Sequence, residues 1–251
     1  MKNLLAIFIF TISFNNLYSQ AISYRYMTPK KGHAQDFRNG LVSKTKKYNS
    51  KDGDPRIYTF AVRASQNGGM QSVVRMSYGE TIGELPIGGG NQPGMWDYWM
   101  ENVDKFVENT SSSEIFGLRK SATHNDAVGS DKPFRRVFHY LIKPGHQDKF
   151  WKVRDNMPRA IEESGVDLDI NAFQSFAGGS MGHVRIVIFE KDMKAFEPGS
   201  GDWQKVRDAY NNLYGDESWE IDWELSRSSQ REWGNNVELL EFLPELSSPS
   251  N

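Results

Sequence analysis

His183 and Arg185 alternate with Val184, Ile186 and Ile188. In a strand, a period of two places the imidazole and guanidinium on one face and the aliphatic side chains on the other. If the aliphatic face meets helices, the cationic face points inward and can take an anionic ligand. If not, it meets solvent at a sheet edge. His139 lies between Phe138 and Tyr140, with Val137 and Leu141 on its own face. A buried strand histidine is a general base tuned near neutral pH, or a core residue bonded to a hydroxyl or carbonyl. Tyr26, Trp96 and Trp203 add aromatic surface. The candidate ligand-binding set is therefore His139, His183, Arg185, Tyr26, Trp96 and Trp203, with His139 and His183 as weak catalytic candidates and no metal ligands.

Other chemistries lack their residues. There is no cysteine, so disulfides, thiolate metal sites and cysteine nucleophiles are excluded. No His-Glu-x-x-His or Gly-x-Ser-x-Gly motif occurs, and Gly88-Gly89-Gly90 lacks the lysine of a phosphate loop. Asp167 with Asp169, and the run Asp216-Glu217 through Glu220, Asp222 and Glu224, read as solvated edges. A net charge of −2 argues against nucleic acid as a partner. Seven tryptophans are more than a plain core requires, and they suit pocket walls or large core fillers.

The elements that must position these residues come twice. Lys30-Lys31-Gly32-His33 precedes Phe37 as Lys143-Pro144-Gly145-His146 precedes Phe150, an offset of 146 − 33 = 113 residues. Met70 and Met181 follow at 111, and Trp96 and Trp203 at 107. Each copy reads β-α-β-β-α-β. In the first, strands are expected over 24–28, 56–64, 70–78 and 114–122, with a helix bearing Phe37, Leu41, Thr45 and Tyr48 and another over 95–109. Arg38, Lys44, Lys46 and Lys47 read as a solvated stripe on the first helix. Gly83 to Gly94 reads as a flexible lid. In the second copy, strands are expected over 135–142, 167–177, 183–190 and 237–243, and Pro158 should kink or break the intervening helix. Arg75 aligns with Ile186 rather than Arg185, so either the copies bury opposite faces there or the alignment slips by one.

The division is 1–20 signal peptide, 21–125 first repeat, 126–132 linker, 133–246 second repeat and 247–251 tail. Met1-Lys2 followed by an apolar run from Leu4 to Phe14 and a small residue before a cut after Ser19 or Gln20 predicts export, to the periplasm or outside. No membrane association is expected after cleavage. The fold class is α+β: two tandem ferredoxin-like repeats whose bare sheet faces close on each other as an intramolecular α/β barrel.

The Lys-Pro-Gly-His turn with Phe150, at the end of a first strand, resembles the strand-to-helix turn of the dimeric α/β-barrel superfamily. That group includes antibiotic-biosynthesis-type monooxygenases, NIPSNAP-like proteins and chlorite dismutase-like haem proteins. The resemblance implies a ligand between sheet and helices or inside the barrel. It also implies oxygen chemistry without metal, or haem on a histidine such as His146 or His139. No family's catalytic set maps residue by residue onto this chain. The expectation is binding of a small hydrophobic or aromatic ligand in the barrel, with no cofactor. A cofactor-independent monooxygenase and a haem protein are the alternatives. His33 and His146 are otherwise ligand contacts at the mouth of each barrel half, or helix-start residues whose imidazoles cap the backbone or face water, and the oligomeric state is open.

Overall fold

The two repeated turns adopt the same backbone. Gly32 and Gly145 take φ of +83° and +77°, a region glycine enters without steric cost. The histidines after them share φ −111° with ψ of 15° at His33 and 14° at His146, and each opens a helix. This computed structural model describes residues 18–69, 71–86, 92–125, 131–197 and 202–249. The expected signal peptide up to residue 17, most of the glycine-rich loop (87–91) and most of the linker (126–130) lie outside the described residues.

The elements run β1 (Tyr18–Pro29), α1 (Ala34–Tyr48), β2 (Arg56–Ala64), β3 (Val73–Gly79), α2 (Met95–Asn102), β4 (Val107–Thr110) and β5 (Glu114–Arg119) in the first half. The second half has β6 (Phe134–Leu141), α3 (Gln147–Ser164), β7 (Asp169–Ala177), β8 (His183–Glu190), α4 (Trp203–Tyr214), α5 (Ser218–Ser228) and β9 (Asn236–Phe242). Eight strands close an antiparallel barrel in the order β1-β3-β2-β9-β6-β8-β7-β5, and β4 pairs with the end of β1 outside the ring. The halves meet at two seams, β2 on β9 and β5 on β7. Full closure leaves the ring no free edge.

Alternation along the strands divides the core into three layers. Ile22, Tyr24 and Tyr26 of β1, Tyr58 and Phe60 of β2, and Phe173, Val187 and Phe189 of the second half fill the barrel. Val184, Ile186 and Ile188 point the other way, against Phe150, Val153, Met157 and Ile161 of α3. Met27, Val73, Phe37, Leu41 and Trp99 form the smaller layer between sheet and helices in the first half.

Several expectations shift. β1 starts at Tyr18, so the expected processing point after Ser19 or Gln20 falls within this strand. α2 stops at Asn102, because Val103 leaves helical geometry; a 3₁₀ turn at Asp104–Phe106 and β4 take over the apolar spacing that continues to Val107. α3 runs through Pro158, held by buried Val153, Met157, Ala160 and Ile161 on either side. The spacing of Trp203, Val206, Tyr210 and Leu213, continued at Trp219, Trp223 and Arg227, reads as one long helix, but α4 and α5 are separate helices, divided at Gly215 with φ +109°.

Candidate functional site

Inside the barrel, β5, β8, β6 and β9 bring four titratable side chains into one line. Glu114 Oε2 lies 3.0 Å from His183 Nδ1, and His183 Nε2 lies 2.9 Å from His139 Nδ1. His139 Nε2 lies 3.0 Å from Glu238 Oε2, off the straight hydrogen-bond axis. The other oxygen of Glu238 accepts from the Tyr26 hydroxyl and, at 2.5 Å, from Ser65 Oγ. The line opens outward at one end only: the Glu114 and His183 side chains are 25% and 13% exposed, those of Glu238 and His139 0% and 2%. Arg185 lies beside it with its guanidinium carbon 3.9 Å from the Tyr24 ring centroid.

Burial pulls the pKa of His139 down, against the pull of Glu238. Burial would raise Glu238, but the His139 bond and charge, Arg185 and Ser65 outweigh it and bring its pKa down to about 2. Burial first, then Glu238, pushes the Tyr26 hydroxyl well above the usual phenol range.

Deeper in the barrel is a cavity of about 50 Å³ walled by Tyr58, Phe60, Phe173 and Phe189. Arg185 Nε and Asn171 Oδ1 are buried without a partner, and both residues line it. At roughly 10–15 Å³ per water, it suits a few water molecules and not an aromatic ring.

The larger space is on the other face of the sheet. A cavity of about 470 Å³ lies between the outer side of β1, β2 and β3 and the helices α1 and α2, within the size range of small-molecule sites. Ser23 and Arg25 of β1, Arg75 and Ser77 of β3, Lys44 of α1, and Trp96 and Trp99 of α2 are on its wall. Arg25 stands over the Trp99 ring at 5.3 Å. Trp96 is 58% exposed, at the rim.

Four of the six sequence candidates thus converge: His139, His183, Arg185 and Tyr26 belong to the barrel cluster. Trp96 lines the outer cavity instead. Trp203 packs on the second-half core and lines neither cavity. His33 hydrogen-bonds Asp36 at 3.1 Å and stacks on Phe106, and His146 opens α3. Lys44 is not on a solvated stripe: it stands three residues after Leu41 and four before Tyr48, on the buried side of α1. Glu114, Glu238, Arg25 and Lys44 were missed. Period two already put Glu238 on the face of Leu240, and helical spacing put Lys44 among the apolar positions.

The comparisons with known proteins bear on the fold. A solved anthrone oxidase-like protein matches with TM-score 0.54 at 10% identity, over 90% of this chain and 92% of that one. A putative monooxygenase from Lactobacillus acidophilus matches with TM-score 0.54 at 8% identity, over 92% and 96%. A chlorite dismutase variant from Candidatus Nitrospira defluvii matches with TM-score 0.54 at 9% identity, over 92% and 96%. No protein-family profile and no curated protein matches the chain. The fold is therefore that of monooxygenase-like and chlorite dismutase-like α/β barrels.

Haem on His139 does not fit the residues described. Both ring nitrogens of His139 face partners, and the barrel cavity is far smaller than a porphyrin. Among the described residues, the outer cavity has no histidine on its wall.

Proposed function

We propose that this chain is an exported small-molecule-binding protein built of two ferredoxin-like repeats. Its ligand, with an aromatic or apolar body, occupies the 470 Å³ cavity between the first-half sheet and α1 and α2. The cavity itself carries this reading. It is large enough for a drug-sized molecule, walled by Trp96, Trp99, Met95, Ile57 and Ile115, and it holds polar groups that lack partners, Arg75 Nη1 and Gln92 Oε1. The site expected inside the barrel moves outside it, because aromatic side chains already fill the barrel.

N-phenyl-1-naphthylamine, a neutral fluorescent aryl amine, tests the reading. It should bind the full chain with quenching of tryptophan emission, and Ser77→Trp, which fills the cavity, should abolish binding. Undiminished binding to Ser77→Trp refutes the site. Export rests on the Met1–Gln20 pattern. It requires that protein recovered outside the cytoplasm begin near Ala21; a cytoplasmic protein retaining Met1 contradicts it.

The barrel cluster favours a second reading, acid–base chemistry of the cofactor-independent monooxygenase kind at the His183 end. Arg25 faces the outer cavity while Tyr24 and Tyr26 face the barrel, so β1 separates the two sites. The cluster would serve a species entering at Glu114, not the ligand of the outer cavity. Turnover surviving both His139→Ala and His183→Ala would exclude it.

A further inference from the structure

Among the described residues, the wall of the outer cavity carries three cations and no carboxylate. Arg25 of β1 and Arg75 of β3 are direct cross-strand partners, a placement that destabilises an antiparallel pair when the charges are alike. Lys44 projects from α1 onto the same space. Their remaining bonds are few. Arg75 is 6% exposed; its Nη2 donates to Thr45 Oγ1 at 3.2 Å, while Nη1 has no acceptor. Lys44 Nζ donates to the Asn49 side-chain oxygen at 2.6 Å. The carboxylates that act on the group, Asp104 on Arg25 and Asp54 on Lys44, are not on the cavity wall.

Such a cluster is unfavourable by itself, and the titration of its members reflects that. Burial, then Arg75 and Arg25, bring Lys44 down to about 7. Burial, then Arg25, bring Arg75 down to about 9, which leaves it charged at neutral pH. An anion between the three would supply the missing acceptor and reverse the repulsion. A guanidinium offers a planar pair of donors to a carboxylate, sulfonate or phosphate oxygen pair.

Resting on the reading of this cavity as the ligand site, we propose that the ligand is an amphipathic organic anion. Its acidic head group sits between Arg25, Arg75 and Lys44, and its apolar or aryl body lies toward Met95, Trp96 and Trp99. One consequence follows for protons. The charged groups that act on Lys44 are Arg75 on β3, Arg25 on β1 and Asp54 in the loop before β2; α2 faces the cavity with Met95, Trp96 and Trp99. A bound anion raises the pKa of Lys44, so binding above neutral pH takes up a proton.

Two fluorescent probes separate this inference from the reading beneath it. 8-Anilinonaphthalene-1-sulfonate and N-phenyl-1-naphthylamine share one aryl framework and differ by a sulfonate. The sulfonate should bind the full chain roughly tenfold or more tightly, the worth of a charge-assisted hydrogen bond. Arg75→Gln should remove that advantage, bringing the sulfonate's affinity down to that of the neutral probe measured on the same variant. Lys44→Met gives the same comparison from a helix position should Arg75→Gln fail to fold. Calorimetry at about pH 8 in buffers of different ionisation enthalpy should show proton uptake with the sulfonate that Lys44→Met abolishes. Equal affinity for both probes, each displaced by Ser77→Trp, overturns the anion and leaves the cavity standing as a site. Sulfonate binding that persists in Arg75→Gln and Lys44→Met also overturns the anion. Failure of both probes to bind removes the site and the anion with it.

Discussion

The two halves differ most where they should be most alike, in the layer between sheet and helices. Arg25 pairs with Arg75 across β1 and β3; in the second half Phe138 pairs with Ile186 across β6 and β8. The offsets, 138 − 25 = 113 and 186 − 75 = 111, are those of the repeated turns and methionines. Lys44 has its counterpart at Met157, again 157 − 44 = 113. Three cations around a cavity in one half are three apolar side chains in a packed core in the other, where Trp219 and Trp223 of α5 add further cover. The second half does bury a cation, Arg154, but surrounds it. Its guanidinium carbon lies 3.7 Å from the Phe150 ring centroid and Nη1 donates to the Phe150 carbonyl and Ser226, although Nη2, like Nη1 of Arg75, has no hydrogen-bond partner. One layer is filled by its own side chains, whereas the other encloses a cavity.

Inside the barrel the halves converge. Tyr26 and His139 are counterparts (139 − 26 = 113), and both bind the carboxylate of Glu238. Glu114 and Glu238 occupy matching places, opposite Tyr24 in β1 and opposite Val137 in β6, with 137 − 24 = 113. The interior is thus approximately symmetric between the two halves, while the outer faces differ.

The comparison breaks most visibly if a first-half charge is tolerated in the second half. Ile186→Arg puts a guanidinium into a layer without a cavity, and should cost roughly 3–5 kcal/mol, the penalty of an uncompensated buried charge. Urea denaturation measures it; a loss under about 1 kcal/mol would mean that the second-half layer is not closed. Next in size is the shared interior. Glu238→Gln keeps the shape but removes the charge that His139, Tyr26 and Ser65 address, with an expected loss of about 2–3 kcal/mol. The depressed pKa of Glu238 gives the sign. Its contribution is present above the ordinary carboxylate range and is lost as pH falls through about 2, so the wild-type advantage over Glu238→Gln should shrink on acidification.

Going the other way, Arg25→Phe with Arg75→Ile gives the first half the second-half pair. Replacing buried like charges by apolar side chains should stabilise the ligand-free protein by about 2 kcal/mol and abolish its preference for anionic probes. Calorimetric melting reads the first effect and probe titration the second. A destabilised double variant would show that the arginines are held by partners inside the protein, not by the cavity.

How far these differences could be read from the sequence depends on whether a residue's partner is near in the chain. β2 and β8 have the boundaries that alternation gives them, because Arg56–Ala64 and His183–Glu190 keep one period throughout. The alignment of Arg75 with Ile186 holds: both face helices, and no slip is needed. α2 was drawn too long, since Val103, Phe106 and Val107 keep helical spacing while serving a 3₁₀ turn and β4. The barrel cluster was half legible. His139, His183 and Arg185 announce themselves by type within apolar strands, but Glu238 reaches Tyr26 across 212 residues, and no local pattern reports that contact. Lys44 misled for a physical reason: lysine is rarely buried, so composition outweighed a helical position that pointed inward.

The smallest expected effect is also the most specific to the unpaired cations. Lys44 has a pKa of about 7 in the folded chain against roughly 10.4 when unfolded. Between those values the unfolded state binds more protons, so stability should rise with pH, by at most about 1.4 kcal/mol per pH unit. Arg75, also depressed, adds to the rise only above about 9. The buried phenols of Tyr24 and Tyr26 act in the opposite sense above roughly pH 10, because their folded pKa values are raised. Arg135, like Arg75, is brought down to about 9, so the window from about pH 7 to 8 isolates Lys44. Chemical denaturation across it should give a rising stability for the wild type and a flatter one for Lys44→Met. Saturating anilinonaphthalene sulfonate should flatten the wild-type slope as well, since an anion at the cluster restores the ammonium. A slope that survives the substitution would place the titrating group elsewhere and remove the electrostatic half of the contrast between the two layers.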